Sequence, residues 1–138
     1  MSQQYVDVVR RAYDAWNGQQ ALPALAAYLS ENFEFVNPDY AIEPGTRRGH
    51  QGLVAAVEAV DAAFAEYSHD PHELIDAGDK VLALVTFRAR GRQGGVEIRV
   101  DEQHVWTLED GKVVRLEWFH DRREALEAAG LPEQEAHN

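Results

Sequence analysis

An α+β fold is expected, because helical periodicity dominates the first half of the chain, strand-like runs separated by hairpin turns dominate the second, and nothing in composition divides the two. The natural architecture is a curved sheet wrapped around N-terminal helices. Its concave face can enclose a pocket, and its convex face stays partly exposed. Residues 1–132 read as one domain and 133–138 as a frayed tail, with no internal repeat or low-complexity stretch.

The elements follow in order. Val6, Val9, Tyr13 and Trp16 recur at helical spacing over residues 5–16, with Arg10, Arg11 and Asp14 off that stripe, so an amphipathic helix opens the fold. Asn17 and Gly18 stop it, and Leu22, Leu25, Ala26 and Leu29 mark a shorter second helix with Pro23 in its first turn. The aromatic and β-branched run at 33–37 is a first strand, ended by Pro38. Residues 38–49 contain two prolines and two glycines without apolar periodicity, which predicts a loop long enough to act as a lid. Leu53, Val54, Val57, Val60 and Phe64 give a third helix to about residue 65. Strands follow at 67–75, 80–90, 96–108 and 113–120, the first placed at an edge by Pro71. Gly78-Asp79, the 91–95 segment and Glu109-Asp110-Gly111 supply the turns. A last helix begins at its cap Asp121 and stops at Gly130.

Composition narrows function. The chain has 138 residues with Lys+Arg 13 against Asp+Glu 24, a formal charge of −11. Such acidity argues against nucleic-acid or anionic-membrane partners, which need a concentrated basic face. The absence of cysteine removes disulfides, thiolate metal sites and cysteine nucleophiles. No apolar run approaches the roughly 20 residues of a spanning helix, and the first residues lack a secretory signal, so a cytoplasmic address is expected. His50, His69, His72, His104 and His137 lack familiar metal-ligand spacing, so no metal site is expected. Arg88, Arg90, Arg92 and Arg99 read as a solvated hairpin tip. GRQGG at 91–95 sits between strands rather than in the strand-to-helix setting of a phosphate loop.

The helix, helix, strand, helix, strands order, with FEFVNP at 33–38, RRGHQGL at 47–53 and GKVVRLEWFHDRREALEAAGL at 111–131, resembles the SnoaL-like branch of the nuclear transport factor 2-like (NTF2-like) superfamily. The resemblance spans nearly the whole chain. It implies a cone of helices on a strongly curved mixed or antiparallel sheet with a central pocket, a homodimer, a small-molecule ligand and no cofactor. The superfamily hosts ketosteroid isomerases, polyketide cyclases, epoxide hydrolases, dehydratases and non-catalytic binders, so the fold alone selects no reaction.

Matched position by position, the resemblance puts Asn37 where ketosteroid isomerases carry an aspartate base and limonene epoxide hydrolases an asparagine. An amide cannot abstract a proton at neutral pH, so Asn37 is expected to orient a carbonyl or a water. Tyr13 matches the isomerase's first-helix tyrosine. Gln103 falls near its neutral acid, where an amide can still donate to an oxyanion. The hydrolase's aspartate, arginine and aspartate are replaced by Val85, Phe87 and Trp118. Where SnoaL-type cyclases carry a carboxylate near the end of the last strand, this chain has His120-Asp121.

His120 shares a strand face with Trp118 and can move protons near neutral pH, whereas Asp121 points away as the helix cap. Tyr13 and Asn37 are the candidate donors to a developing oxyanion. Asp101 is an alternative base if the face it shares with Gln103 is concave, since burial there would raise its pKa. The opposite parity carries Val96, Ile98, Val100, His104 and Trp106, and both choices stay open. Trp16, Phe33, Phe35, Tyr40, Val57, Phe64, Phe87, Leu116 and Trp118, with Gln103, are the candidate ligand contacts. Two functions are therefore expected to compete. One is cofactor-independent acid–base chemistry, of isomerase, cyclase or hydrolase type, on a small apolar carbonyl or polycyclic metabolite. The other is a non-enzymatic ligand-binding or dimerisation module.

Overall fold

A computed structural model describes residues 2–18, 21–41 and 44–132, and the expected frayed tail at 133–138 lies outside these. The elements are α1 (Ser2–Trp16), α2 (Ala21–Ala26), β1 (Leu29–Asn37), β2 (Gly45–Arg48), α3 (Gly49–Ala63), β3 (Phe64–Ala77), β4 (Lys80–Gly91), β5 (Glu97–Glu109), β6 (Lys112–Phe119) and α4 (Arg122–Ala129). The strands form one six-stranded mixed sheet in the order β2-β1-β6-β5-β4-β3. Only β1 and β6 run parallel; the other neighbours are antiparallel. This is the α+β architecture expected, with an open rather than closed sheet.

Helix α3 packs against β1 and β2 near one edge of the sheet and runs directly into β3 at the other. The face that α1 and α3 cover is the inner one. On that inner face Val9, Ala12 and Tyr13 of α1 and Leu53 and Val57 of α3 pack with Val81, Ala83 and Val85 of β4 and Trp106 of β5. On the outer face Ala125, Leu126 and Ala129 of α4 cover Leu82, Leu84 and Val105. Because β4 is covered on both sides, residues 81–86 are all buried, which is why that strand reads as a continuous apolar run rather than an alternation.

Boundaries differ from expectation in three places. Helix α3 ends at Ala63, so Phe64, expected on its apolar face, is extended and opens β3 three residues before the expected 67. Its pairing with Gly91 of β4 overrides the helical spacing. Within the expected 38–49 loop, Gly45–Arg48 pairs with Glu34–Asn37 as an edge strand. Its residues are polar and largely exposed, so no hydrophobic alternation announces it, and the Arg48–Glu34 ion pair helps hold it. Strand β1 starts at Leu29, before the aromatic run, and a register irregularity between Leu29 and Glu34 breaks the period across exposed Glu31 and Asn32. Pro71 does lie in the edge strand, and the β3–β4 register shifts between Pro71 and Glu73. The last helix is capped as expected: Asp121 accepts from the Arg123 N–H at 2.8 Å, and Gly130 takes the left-handed conformation. Among the described residues no helix is long and apolar enough to cross a membrane.

Gly52 allows the close approach of α3 to β2. A Cβ there would stand 2.8 Å from the Arg47 carbonyl carbon and 3.3 Å from its Cα. Alanine would gain about 1 kcal/mol of helix propensity, but backbone atoms cannot swing aside, and overpacking costs about 1–3 kcal/mol. Gly52→Ala should therefore lower stability by about 1 kcal/mol in urea unfolding, and a gain would show that the helix can shift freely.

Candidate functional site

The last turn of α1 places Tyr13 and Trp16 three residues apart on one face, over β5 and β3. Tyr13 is 1% exposed. Burial on this scale requires its hydroxyl to be paired. Trp106 Nε1 donates to it at 2.9 Å, which leaves the phenolic proton for His104 Nδ1 at 2.6 Å. His104 then accepts at Nδ1 and carries its own proton on Nε2, which donates to Glu102 Oε1 at 2.9 Å. All three hydrogen bonds point one way, from indole to carboxylate. Burial raises the Tyr13 hydroxyl well above its ordinary pKa, outweighing the Trp106 hydrogen bond, so it stays a donor.

At the outward end of this chain the other Glu102 oxygen faces His120 Nε2 at 3.8 Å. That is ion-pairing range rather than a hydrogen bond. The Glu102 side chain is 14% exposed and that of His120 47%, so the carboxylate joins a buried imidazole to one that meets solvent. His120 follows β6 directly, and its backbone N–H donates to the Tyr40 hydroxyl at 2.6 Å. Trp118, two residues earlier, donates from Nε1 to Asn37 Oδ1 at 2.6 Å and meets the Tyr40 ring edge-on.

Along β3 the aromatic surface continues through His69. Its ring stacks on Trp16 with centroids 3.9 Å apart and lies near Phe87, Tyr67 and His104. Asn17 closes α1 against this strand: its amide donates to the His69 carbonyl at 2.7 Å, and its oxygen accepts from the His69 N–H at 2.9 Å. Burial, and secondarily His104, pull the His69 imidazole well below its usual pKa. Tyr67 donates to Asp61 at 2.9 Å, and burial together with that carboxylate pushes its hydroxyl up to about 12.

The residues proposed from sequence divide between the two faces. Tyr13, Trp16, Phe33, Val57, Phe87 and Leu116 face inward, with Phe35 packed against the same cluster and Phe64 against Phe87. Asn37, Tyr40, Trp118 and His120 gather at the end of β6. Asp101 and Gln103 do not join them. Asp101 pairs across the sheet with Thr86 and accepts its hydroxyl at 3.1 Å on the outer face. Gln103 is buried there too; with its amide oriented to satisfy both groups, it donates to the Phe119 and His120 carbonyls, each at 3.2 Å. The physical reason is parity: Glu102, His104 and Trp106 alternate inward, sending 101 and 103 outward.

Sequence reasoning missed Glu102 altogether, weighed His69 only as a metal ligand, and weighed His104 as that or as part of the apolar face of its strand. The available signal was the phase shared by Val100, Glu102, His104 and Trp106, which makes the polar pair part of an apolar face. Among the described residues no three or more His, Asp or Glu side chains converge as a metal site. Two grooves of about 670 and 460 Å³ lie on the outer face, the first beside Lys80, Thr107 and Arg115, the second beside Thr86, Arg88 and Asp101.

A SnoaL-like domain model matches residues 9–116, from the middle of α1 into β6. The chain belongs to the SnoaL-like family. No curated protein matches it in sequence. An NTF2-like protein from Burkholderia pseudomallei K96243 is similar in structure, with a TM-score of 0.75 and 28% identity over 90% of this chain and 95% of that one. TerC, co-crystallised with polyporic acid, has a TM-score of 0.76 and 23% identity over 92% and 98% of the two chains. A putative SnoaL-like polyketide cyclase from Jannaschia sp. CCS1 has a TM-score of 0.75 and 17% identity over 94% of each. For the last two the likeness is one of fold.

Removing the Tyr13 hydroxyl from this SnoaL-like chain orphans two buried groups, the Trp106 N–H and His104 Nδ1. At about 1–3 kcal/mol for each unsatisfied group, Tyr13→Phe should cost about 2–6 kcal/mol in urea unfolding; a loss under about 0.5 kcal/mol would show the hydroxyl is not structurally engaged. His69 gives a pH signature. Its folded pKa lies below the unfolded value of about 6.5, so unfolding takes up a proton; the stability held above pH 6.5 declines as pH falls, by up to about 1.4 kcal/mol per unit. Because His104 and Tyr67 remain in place, His69→Phe should flatten the decline between about pH 6.5 and 5, and an unchanged slope would place its cause elsewhere.

Proposed function

We propose that the protein binds a small, largely apolar carbonyl or polycyclic metabolite against the inner face of its sheet and moves protons on it, in isomerase- or cyclase-type chemistry without a cofactor. The observation that carries this reading is the Glu102 carboxylate, held on its buried side by His104 and presenting its other oxygen to His120. In this scheme neutral His120 removes a proton from carbon next to the carbonyl, and the electron pair moves onto oxygen. The imidazolium then returns the proton at another atom, so the ligand is rearranged without net gain or loss. Glu102 stabilises the imidazolium and fixes its orientation. Asn37, its carboxamide oxygen held by Trp118, is the proposed donor to the developing oxyanion.

Tyr13 takes a different part from the one its sequence position suggests. Its hydroxyl proton is committed to His104, so we assign it to positioning: it sets the His104 tautomer and thereby the orientation of Glu102. The small-molecule reading is supported by the SnoaL-like domain and by TerC, which was co-crystallised with polyporic acid. A homodimer belongs to the same proposal, on the family resemblance. A non-enzymatic binder is the second reading, favoured by the amide rather than carboxylate at Asn37 and by the buried, committed Tyr13 hydroxyl.

Native mass spectrometry of gently purified protein would give the subunit count and the mass of any retained ligand, from which the substrate class is chosen. His120→Ala should then keep ligand affinity within about threefold while turnover falls at least about 100-fold, the usual scale of general acid–base catalysis. Equal turnover in the variant would overturn the assignment. Tight binding with no turnover by the unaltered protein would establish the second reading.

A further inference from the structure

Beyond α4, the outer face of β3, β4 and β5 is a grid of charges whose register is fixed by strand pairing. Glu66 lies beside Arg90 and then Glu97, Ser68 beside Arg88 and then Arg99, and Asp70 beside Thr86 and then Asp101. The chain as a whole carries a formal charge of −11, yet this grid sets three arginines against four carboxylates. Two copies of a strongly acidic chain repel each other over most of their surface, and a locally balanced patch is where they can approach. Arginine is also the charged side chain that protein interfaces favour.

The balance is not closed within one chain. Arg90 pairs with Glu66 and Arg88 with Asp70, so the arginines of β4 are committed to β3. The charges of β5 are left over. Glu97 and Arg99 are exposed and form no ion pair among the described residues, and Asp101 accepts only the Thr86 hydroxyl. Arg99 also lies directly opposite Arg88, an arrangement of like charges that destabilises a strand pair. Asp70 answers one of these two arginines, and no carboxylate of the same sheet face answers the other.

Alternation makes the leftover charges self-complementary. Arg99 and Asp101 project from the same face of one strand, two residues apart. A two-fold axis that lays this strand antiparallel across its own copy brings each Arg99 to the other copy's Asp101, so a single match is made twice. Facing sheets stack about 10 Å apart, a gap that an arginine reaching an aspartate can span. The groove of about 460 Å³ on this face is lined by both residues and leaves room beside them for the incoming side chain.

We propose that the outer face of β3–β5 is the surface on which two copies of this chain associate, with Arg99 and Asp101 forming reciprocal ion pairs across the two-fold axis. The inference rests on the homodimer proposed above and adds the face that forms it and the pair that sets its register. Such pairs act chiefly by admitting one register and rejecting others. The arginines at the hairpin thus serve two ends: those of β4 tie the edge strand to the sheet, and that of β5 is kept for the second copy.

The test uses the full chain and sedimentation equilibrium, which yields the dimer dissociation constant. Arg99→Asp and Asp101→Arg each make both reciprocal contacts repulsive and should raise that constant at least about tenfold, since like charges facing across an interface are costly. Mixed in equal amounts, the two variants regain opposite charges at both contacts and should form a heterodimer about as tight as the unaltered dimer. The double variant should recover as a homodimer for the same reason. Recovery on mixing also shows that neither variant has lost its fold. An unaltered chain that stays monomeric overturns the homodimer and this inference together. A dimer that neither substitution weakens, or a weakening that mixing does not relieve, overturns the interface and leaves the homodimer standing.

Discussion

The Tyr13 hydroxyl is the point on which the inner face depends. A phenol this deeply buried needs partners, and the two it finds, Trp106 and His104, both belong to β5, so pairing the hydroxyl also seats α1 on the middle of the sheet. Direction then propagates. Indole N–H can only donate, so the phenol must pass its proton to His104, and His104 must pass its own to Glu102. A second tie, the two-way bond between the Asn17 side chain and the His69 backbone, holds the same helix end against β3. Packing of the first helix and orientation of the polar groups are therefore one problem with one solution.

Strand β5 carries different work on its two faces. Inward it presents Glu102, His104 and Trp106; outward it presents Asp101, Gln103 and Val105 beneath or beside α4. The outward set still bears on the candidate site, because Gln103 braces the backbone carbonyls at 119 and 120, the segment from which the His120 side chain projects. A residue expected to touch a ligand thus acts through the main chain from the other side of the sheet.

Much of the fold was legible because local chemistry and tertiary role agree. The α1 stripe of Val6, Val9, Tyr13 and Trp16, the cap Asp121, the stop Gly130 and the edge proline Pro71 each do in the structure what their residue type favours locally. Strand β2 was not legible, since Thr46, Arg47 and Arg48 gain their conformation from pairing with β1 and carry no apolar period of their own. Within the candidate site, His120, Asn37, Tyr40 and Trp118 could be read from one end of the last strand and the loop facing it. Glu102 could not, because a charged residue in an alternating strand reads as solvent-facing until something polar is found to bury beside it.

The amino-acid sequence by itself determined the order of elements, the places where the chain turns, and two sets of side chains on each strand. It determined the sets by alternation, a property of one extended chain. Which set of β5 faced inward was decided only when α1 and α3 covered one side of the sheet and α4 the other. That choice depends on contacts between residues as distant in sequence as Tyr13 and Trp106, and with it came the pairing of Glu102 with His104 and the stacking of His69 on Trp16.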